Sequence, residues 1–217
     1  MPYSDALCKR LYEADRKAVS QKRLRHIEGV ADCAEALAKR YGVDVYKARV
    51  AGLLHDWMRE TPGSELLQWS GRYGIPIDRA CQAHPDLLHG PVAAERGREE
   101  FDITDESILN AVRAHTLGAP QMDELACILY LSDAIECTRD YPGVDALRTL
   151  AQEDLMRATI ACMEQSIAHL KTKHLPVHPV TICALRALQR KIQNKEAEGF
   201  DTTCTGSCPT DCDDIGR

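Results

Sequence analysis

His26, His55, Asp56, His84, His89, His115 and Asp133 follow one another along this 217-residue chain. Imidazole nitrogens and carboxylate oxygens are the donors that zinc, iron, manganese and similar ions take. The centre of the series is Ala51-Gly52-Leu53-Leu54-His55-Asp56, an apolar run that ends in two adjacent ligand-type residues. A His-Asp dipeptide alone is common by chance. It gains meaning if the fold brings the other histidines and Asp133 onto it. Burial sharpens the point, because an aspartate in apolar surroundings without a cation or donors costs on the order of several kcal/mol. Asp133, after the apolar run Leu125–Leu131 and Ser132, is a second carboxylate in the same position.

The elements that must position these side chains read as helices. Apolar residues at helical spacing predict a helix over 4–19 with Ser4 as N-cap and another over 22–41, stopped by Gly42. A third spans 44–57 behind Asp44 and is apolar or small nearly all round, which means buried. His26 lies in the first turns of the second helix and His55-Asp56 at the end of the third. Thr61-Pro62 reads as N-cap and first helical position of a short helix, and residues 78–84 as a brief helical piece. Pro91 suits a helix start, so His89 stands at the mouth of helix 91–100, with N-terminal amides beside it for anions. Thr104 caps the next helix, which ends at His115, where the dipole favours a protonated imidazole. Helices over 122–137, 144–151, 153–173 and 180–197 complete the count. No period-two strand pair, internal repeat or interdomain linker is present, so the fold reads as one all-α domain.

Composition narrows the function. Hydrophobic residues at 44% and charged residues at 28% suit a soluble globular protein, and the 5% aromatic content leaves the core to aliphatic side chains. No apolar run approaches the roughly 18 residues of a membrane span, and Met1–Asp5 does not open a secretory signal. The net charge of −6 argues against nucleic acid as main partner. Between Lys9 and Arg25 lies a basic run; it reads as a solvated face, or else Arg23 or Arg25, beside His26, draws in an anionic substrate. Of ten cysteines, Cys8, Cys33, Cys81, Cys127, Cys137, Cys162 and Cys183 scatter through helical segments and read as buried, reduced thiols of a cytoplasmic protein. Residues 199–217, acidic and carrying Cys204, Cys208 and Cys212, read as a disordered tail.

The series His26, His55-Asp56, His89, His115, Asp133 resembles the HD-domain metal-dependent phosphohydrolases. Arg25-His26-x-x-Gly29-Val30, Lys47-Ala48-x-x-Ala51-Gly52-Leu53-Leu54-His55-Asp56, Pro85-x-Leu87-Leu88-His89-Gly90, His115-Thr116-x-Gly118, Tyr130-x-x-Asp133-x-Ile135-Glu136-x-x-Arg139 and Pro142-Gly143-Val144 are similar to the YqeK family, described as symmetrical diadenosine tetraphosphate hydrolases. The resemblance spans roughly residues 20–190. It implies an HD domain over 21–198 with the helix in 1–20 packed on it, and says nothing of the three tail cysteines.

Together with the donor chemistry, the resemblance gives His26, His55, Asp56 and Asp133 as metal ligands around a catalytic site with an open position. It implies ferrous or ferric iron, while the residues also permit manganese, zinc or cobalt; one ion is favoured over two. His89 and His115 are either ligands of a second ion or, the favoured reading, donors to substrate phosphates. Metal-activated water attacks an inner phosphorus and releases ADP, with Asp56 or Asp133 orienting it. His89, His115 and Arg139 neutralise phosphate charge; Arg139 reads otherwise as a helix-end cation. By its place in the family pattern, the loop Pro176, Val177, His178, Pro179, Val180, Thr181 walls the nucleoside end, or it is simply a helix connection. His84 reads as structural or a supporting donor, and His169 and His174 as solvent-facing. The implied partner is a small nucleotide, not nucleic acid or membrane, and a homodimer stays open. The rival functions are another HD nucleotidase or phosphodiesterase, a nucleotide-binding regulator without turnover, and a structural metal protein.

Overall fold

Short side chains that accept backbone amides, and glycines that end helical runs, cut the chain into its elements. In a computed structural model that describes residues 5–201, α1 (Ala6–Ala18) starts at Asp5, whose Oδ1 accepts from the amides of Leu7 and Cys8. Ser20 opens α2 (Gln21–Tyr41), and Gly42 ends it in the left-handed region at φ 70°. Asp44 opens α3 (Val45–Leu54). Then come α4 (Gly63–Tyr73), α5 (Arg79–Ala83) behind Asp78, a 3-10 turn over Pro85–Leu88, and α6 (His89–Phe101). Asp105 starts α7 (Glu106–Ala114) and Asp123 starts α8 (Glu124–Ile135). The chain closes with α9 (Val144–Glu153), α10 (Leu155–Thr172) and α11 (Pro179–Asp201). Among the described residues there is no strand, which bears out the all-α reading.

Two helices form the middle of the molecule. Every residue of α8 from Leu125 to Ser132 is buried, as is α3 from Val50 to Leu54. A helix apolar on all sides can only be a core element. Around this pair, α2 lies along α3, α7 packs on both α3 and α8, and α6 covers α7. On the far side α10 packs on α8 and α9, with α11 beside α10. The α2–α3 contact is backbone-close at Gly52, where a Cβ would stand 2.6 Å from the Cα of Ala31. Glycine is required there, and the resulting approach sets His26 on α2 near the end of α3. Among the described residues, no helix is long and apolar enough to cross a membrane.

Several helix ends differ from the sequence expectation. The expected helix over 44–57 stops at Leu54. The His55 ring takes the carbonyl of Gly52, and the amides of Trp57 and Arg59 bond three residues back, so tight turns replace the helical ladder. His55 and Asp56 therefore sit on a turn. The helix expected from Pro91 begins at His89, because the 3-10 turn before it feeds directly into α6. Thr104 is not the cap of α7: the Asp105 carboxylate accepts from Ser107 instead. Thr61 is not the cap of α4 either, since Pro62 holds that place without a side-chain bond.

The last helix runs through Gly199 to Asp201 rather than stopping at 197. Of the seven cysteines expected to be buried, Cys8, Cys81, Cys127 and Cys162 are, Cys33 is half-buried, and Cys137 and Cys183 are exposed. All seven are free thiols. Asp5, not Ser4, caps α1, and the tail cysteines Cys204, Cys208 and Cys212 lie outside the described residues.

Candidate metal and phosphate site

Four histidines share one orientation. His26 on α2 holds Glu136 Oε1 through Nδ1 at 3.0 Å. His55 at the end of α3 holds the Gly52 carbonyl through Nδ1 at 2.6 Å. His89 at the start of α6 does the same with the Asp86 carbonyl at 2.5 Å, and His115 at the end of α7 with the Val112 carbonyl at 2.8 Å. Carbonyl and ionised carboxylate oxygens only accept, so these Nδ1 atoms carry a proton and, in the neutral ring, Nε2 presents a lone pair. All four Nε2 atoms face the carboxylates of Asp56 and Asp133.

Asp56 is the hub. Its Oδ2 lies 2.8 Å from Arg23 Nη1 and 3.6 Å from both His26 Nε2 and His55 Nε2. Its Oδ1 lies 3.1 Å from His89 Nε2 and 3.8 Å from His115 Nε2. Asp133, projecting from α8, stands 3.1 Å from His26 Nε2 and 2.6 Å from Arg139 Nη2. The donors fall into three overlapping trios, each compact enough for one ion: His26, His55 and Asp56; His55, His115 and Asp133; Asp56, His89 and His115.

Two features of this geometry call for a cation. His55 Nε2 is fully buried and has no hydrogen-bond partner, an arrangement that costs free energy unless something positive faces it. His89 Nε2 and His115 Nε2 approach to 2.9 Å with both Nδ1 protons already committed, so two lone pairs confront each other unless a proton or a metal ion lies between. The residues thus fit a metal ion.

The titration directions favour a lone pair at His55 and His89 and a proton at His115. Burial brings His55 down to about 4, which keeps its lone pair free at neutral pH. Burial also lowers His89, against the pull of Asp56. At His115 burial acts downward too, but the Asp56 hydrogen bond and charge outweigh it and the imidazole titrates above its ordinary value. Burial pushes both carboxyls up; the surrounding histidines overcome it and hold Asp56 and Asp133 well below the usual carboxylate range.

The supporting residues explain how these side chains are fixed. Glu136 is buried; both its oxygens are taken by Thr138, and one also receives His26. Gly29 leaves room for it, since a Cβ there would meet Glu136 Oε2 at 2.5 Å. Glu60 grips the amide and hydroxyl of Ser20, each at 2.7 Å, and so ties the turn after Asp56 to the start of α2. Thr116 Oγ1 lies 3.1 Å from His115 Nε2.

The sequence candidates His26, His55, Asp56, His89, His115, Asp133 and Arg139 all converge here. Arg23 is the cation of the basic run that reaches the site, whereas Arg25 is exposed. His84, His169 and His174 are exposed and belong to none of the donor trios. Pro176–Thr181 supplies no donor to the trios around Asp56. Residues 173–178 join α10 to α11, whose first turn holds Pro179, Val180 and Thr181, and His178 Nε2 binds Asp78 Oδ2 at 2.8 Å. His178 and Val180 line a cavity of about 450 Å³ together with Leu87, Leu88 and Leu117, the neighbours of His89 and Thr116. Sequence reasoning gave no role to Glu136, Glu60 or Gly29. Glu136 and Gly29 lay within the quoted motifs, and that was their only signal.

An all-helical bundle with a His-Asp turn at its hub, flanked by inward histidines and a second aspartate, defines a hydrolase of the HD class, and the chain belongs to the HD-domain family, whose profile matches residues 23–137. Within that class the chain is 37% identical to a Bacillus subtilis protein, covering 76% of this chain and 89% of that one. A Staphylococcus aureus protein is 31% identical, with 78% and 88% covered. Both are named "Bis(5'-nucleosyl)-tetraphosphatase, symmetrical". A Clostridium acetobutylicum crystal structure, described as a predicted HD superfamily hydrolase involved in NAD metabolism, superposes with a TM-score of 0.82 at 33% identity. It covers 84% of this chain, which covers 97% of it.

Proposed function

We propose that this protein hydrolyses diadenosine tetraphosphate symmetrically to two ADP. The observation that carries the reading is the hub at Asp56: metal-type donors surround it, and Arg23 and Arg139 stand on the two carboxylates at its rim. Such a site offers both an ion and guanidinium groups to a polyphosphate. The names of the relatives supply the substrate.

We assign one ion to His26, His55, Asp56 and Asp133, and we favour ferrous or ferric iron; manganese, zinc and cobalt suit the same nitrogen and oxygen donors. Bound there, the ion supplies Lewis acidity to a water molecule and to the phosphoryl oxygens. The chain's own groups do the rest. Asp56 or Asp133, ionised at neutral pH, orients the attacking water, whose proton passes to solvent. Water oxygen bonds to one of the two inner phosphorus atoms, and the bond from that phosphorus to the central bridging oxygen breaks. One ADP leaves on the bridging oxygen, and the other keeps the oxygen from water. His115, titrating above its ordinary value, donates to the phosphate oxygens beside His89. Arg139 neutralises charge on the transferring group. The cavity beside His178 and Val180 holds one nucleoside, with apolar walls for the base. Free thiols fit a reaction in the reducing cytoplasm.

Metal analysis of freshly reduced protein, joined to a panel of nucleotides, tests this. The expected result is turnover of the dinucleoside tetraphosphate that chelation abolishes and metal restores, well above that of nucleoside monophosphates or cyclic dinucleotides. Faster turnover of mononucleotides than of the tetraphosphate would sink the assignment.

A further inference from the structure

Cleavage at the centre of a dinucleoside tetraphosphate requires that two nucleoside diphosphate halves be held, one on each side of the scissile bond. The His178 cavity takes one half. Asp56 shows where the other goes, because its two oxygens meet different partners. Oδ1 looks toward His89 and His115; Leu88, next to His89, and Leu117, two residues beyond His115, line the His178 cavity. Oδ2 looks toward His26 and Arg23, and these two residues line a different cavity of about 350 Å³. The cluster around Asp56 thus borders the second cavity directly, through Arg23, His26 and Arg139, and adjoins the lining of the first along the chain.

The second cavity has the chemistry of a polyphosphate with a base at its end. Lys22, Arg23 and Arg139 supply three cations. Of the two acids in its wall, Glu60 is engaged by both the amide and the hydroxyl of Ser20, which leaves the exposed Asp140. The two guanidinium groups rest on Asp56 and Asp133, at 2.8 and 2.6 Å. An ion on those carboxylates takes over their neutralisation and releases both arginines to phosphate oxygens, for which a planar two-pronged donor is suited. Tyr141 is half-buried in the wall, its hydroxyl donating to the Ala134 carbonyl at 2.9 Å, so that the ring is fixed in place. A fixed aromatic ring is a stacking partner for a nucleobase.

Resting on the hydrolase reading above, we propose that the cleft of Lys22, Arg23, Arg139 and Tyr141 is the second nucleoside diphosphate half-site. Arg23 and Arg139 hold the phosphates beyond the scissile bond, Lys22 holds the phosphate next to the ribose, and Tyr141 carries the base. This half-site makes the enzyme select two-ended nucleotides over single-ended ones.

Equilibrium dialysis of radiolabelled ADP against metal-loaded full-length protein tests it, alongside steady-state kinetics on diadenosine tetraphosphate. The wild type is expected to bind two ADP per chain. Lys22→Glu, a change at an exposed position on the first turn of α2, is expected to bind one, with KM for the tetraphosphate raised about tenfold or more. Lys22→Arg is expected to restore both values. An unchanged metal content and melting temperature in Lys22→Glu separates lost binding from lost folding; should that variant fail to fold, Tyr141→Leu carries the same comparison. A single ADP bound by active wild type, or an unaltered stoichiometry and KM in the folded Lys22→Glu variant, overturns the half-site. Two ADP bound by a wild type that does not cleave the tetraphosphate instead overturns the hydrolase reading and leaves the half-site standing.

Discussion

His26 is held by a carboxylate with no place among the metal donors. Glu136 fixes the ring through Nδ1, and Thr138 fixes Glu136 in turn. A carboxylate behind a ligand histidine sets its tautomer and raises its basicity, and losing one typically weakens metal binding by about 10–100-fold. Glu136→Gln is therefore expected to lower metal affinity in that range, read by competition with a chromogenic chelator. Unchanged affinity would mean that His26 does not need the carboxylate.

A second residue, Asp15, tells against stability. It is buried, and both its oxygens lack a partner. Burial, then the charges of Asp56 and Glu28, raise its carboxyl well above the ordinary value. A group with a raised folded-state pKa contributes its full stability below the unfolded value of about 3.9 and loses it as pH climbs toward the folded value. Wild type is thus expected to lose stability above about pH 4 relative to Asp15→Asn, by about 1–3 kcal/mol at pH 8. Urea unfolding at pH 4 and pH 8 measures the gap. Equal differences at the two pH values would refute it.

At the scale of elements, the site depends on how closely α2 approaches α3. Gly52 permits that approach, and the carbonyl of the same residue holds His55. Gly52→Ala is expected to cost about 1–3 kcal/mol through overpacking against Ala31 and to weaken metal binding by displacing His55 from His26. Denaturant unfolding and chelator competition read the two effects; a normal midpoint and normal affinity would show that the helices can part without harm.

Most of these elements were legible in the sequence. Apolar spacing, Asp44 and Gly42 marked α2 and α3, and the continuous apolar run of α8 announced a central helix. The ends of α3, α6 and α7 were not, because a ring binding its own helix, a 3-10 turn and a neighbouring aspartate decided them. Those are choices among local bonds that periodicity does not register. The order of site histidines and aspartates was likewise readable, while the hold of Glu136 on His26 spans 110 positions and exists only once α2 meets α8.

For the molecule as a whole, net charge and local charge have opposite sign. The chain carries −6 overall, yet in the lining of the cleft beside His26 Lys22, Arg23 and Arg139 outnumber Glu60 and Asp140. A cationic mouth on an acidic protein concentrates a polyanion locally, and salt screens that attraction over about 10 Å at 0.1 M. KM for the tetraphosphate is expected to rise severalfold between 50 and 500 mM salt (order of magnitude), with kcat little changed. A salt-independent KM would mean that the arginines stay on Asp56 and Asp133 throughout the cycle. The sequence pointed to Arg23 and to Arg139 separately but not to their meeting, since the cations come from α2 and from the segment after α8.

The most direct measurement is the fate of diadenosine tetraphosphate incubated with metal-loaded protein in ¹⁸O-water. Central attack predicts ADP as the sole nucleotide product, with label on the terminal phosphate of half the ADP molecules. ATP plus AMP, or ADP without label, would contradict it.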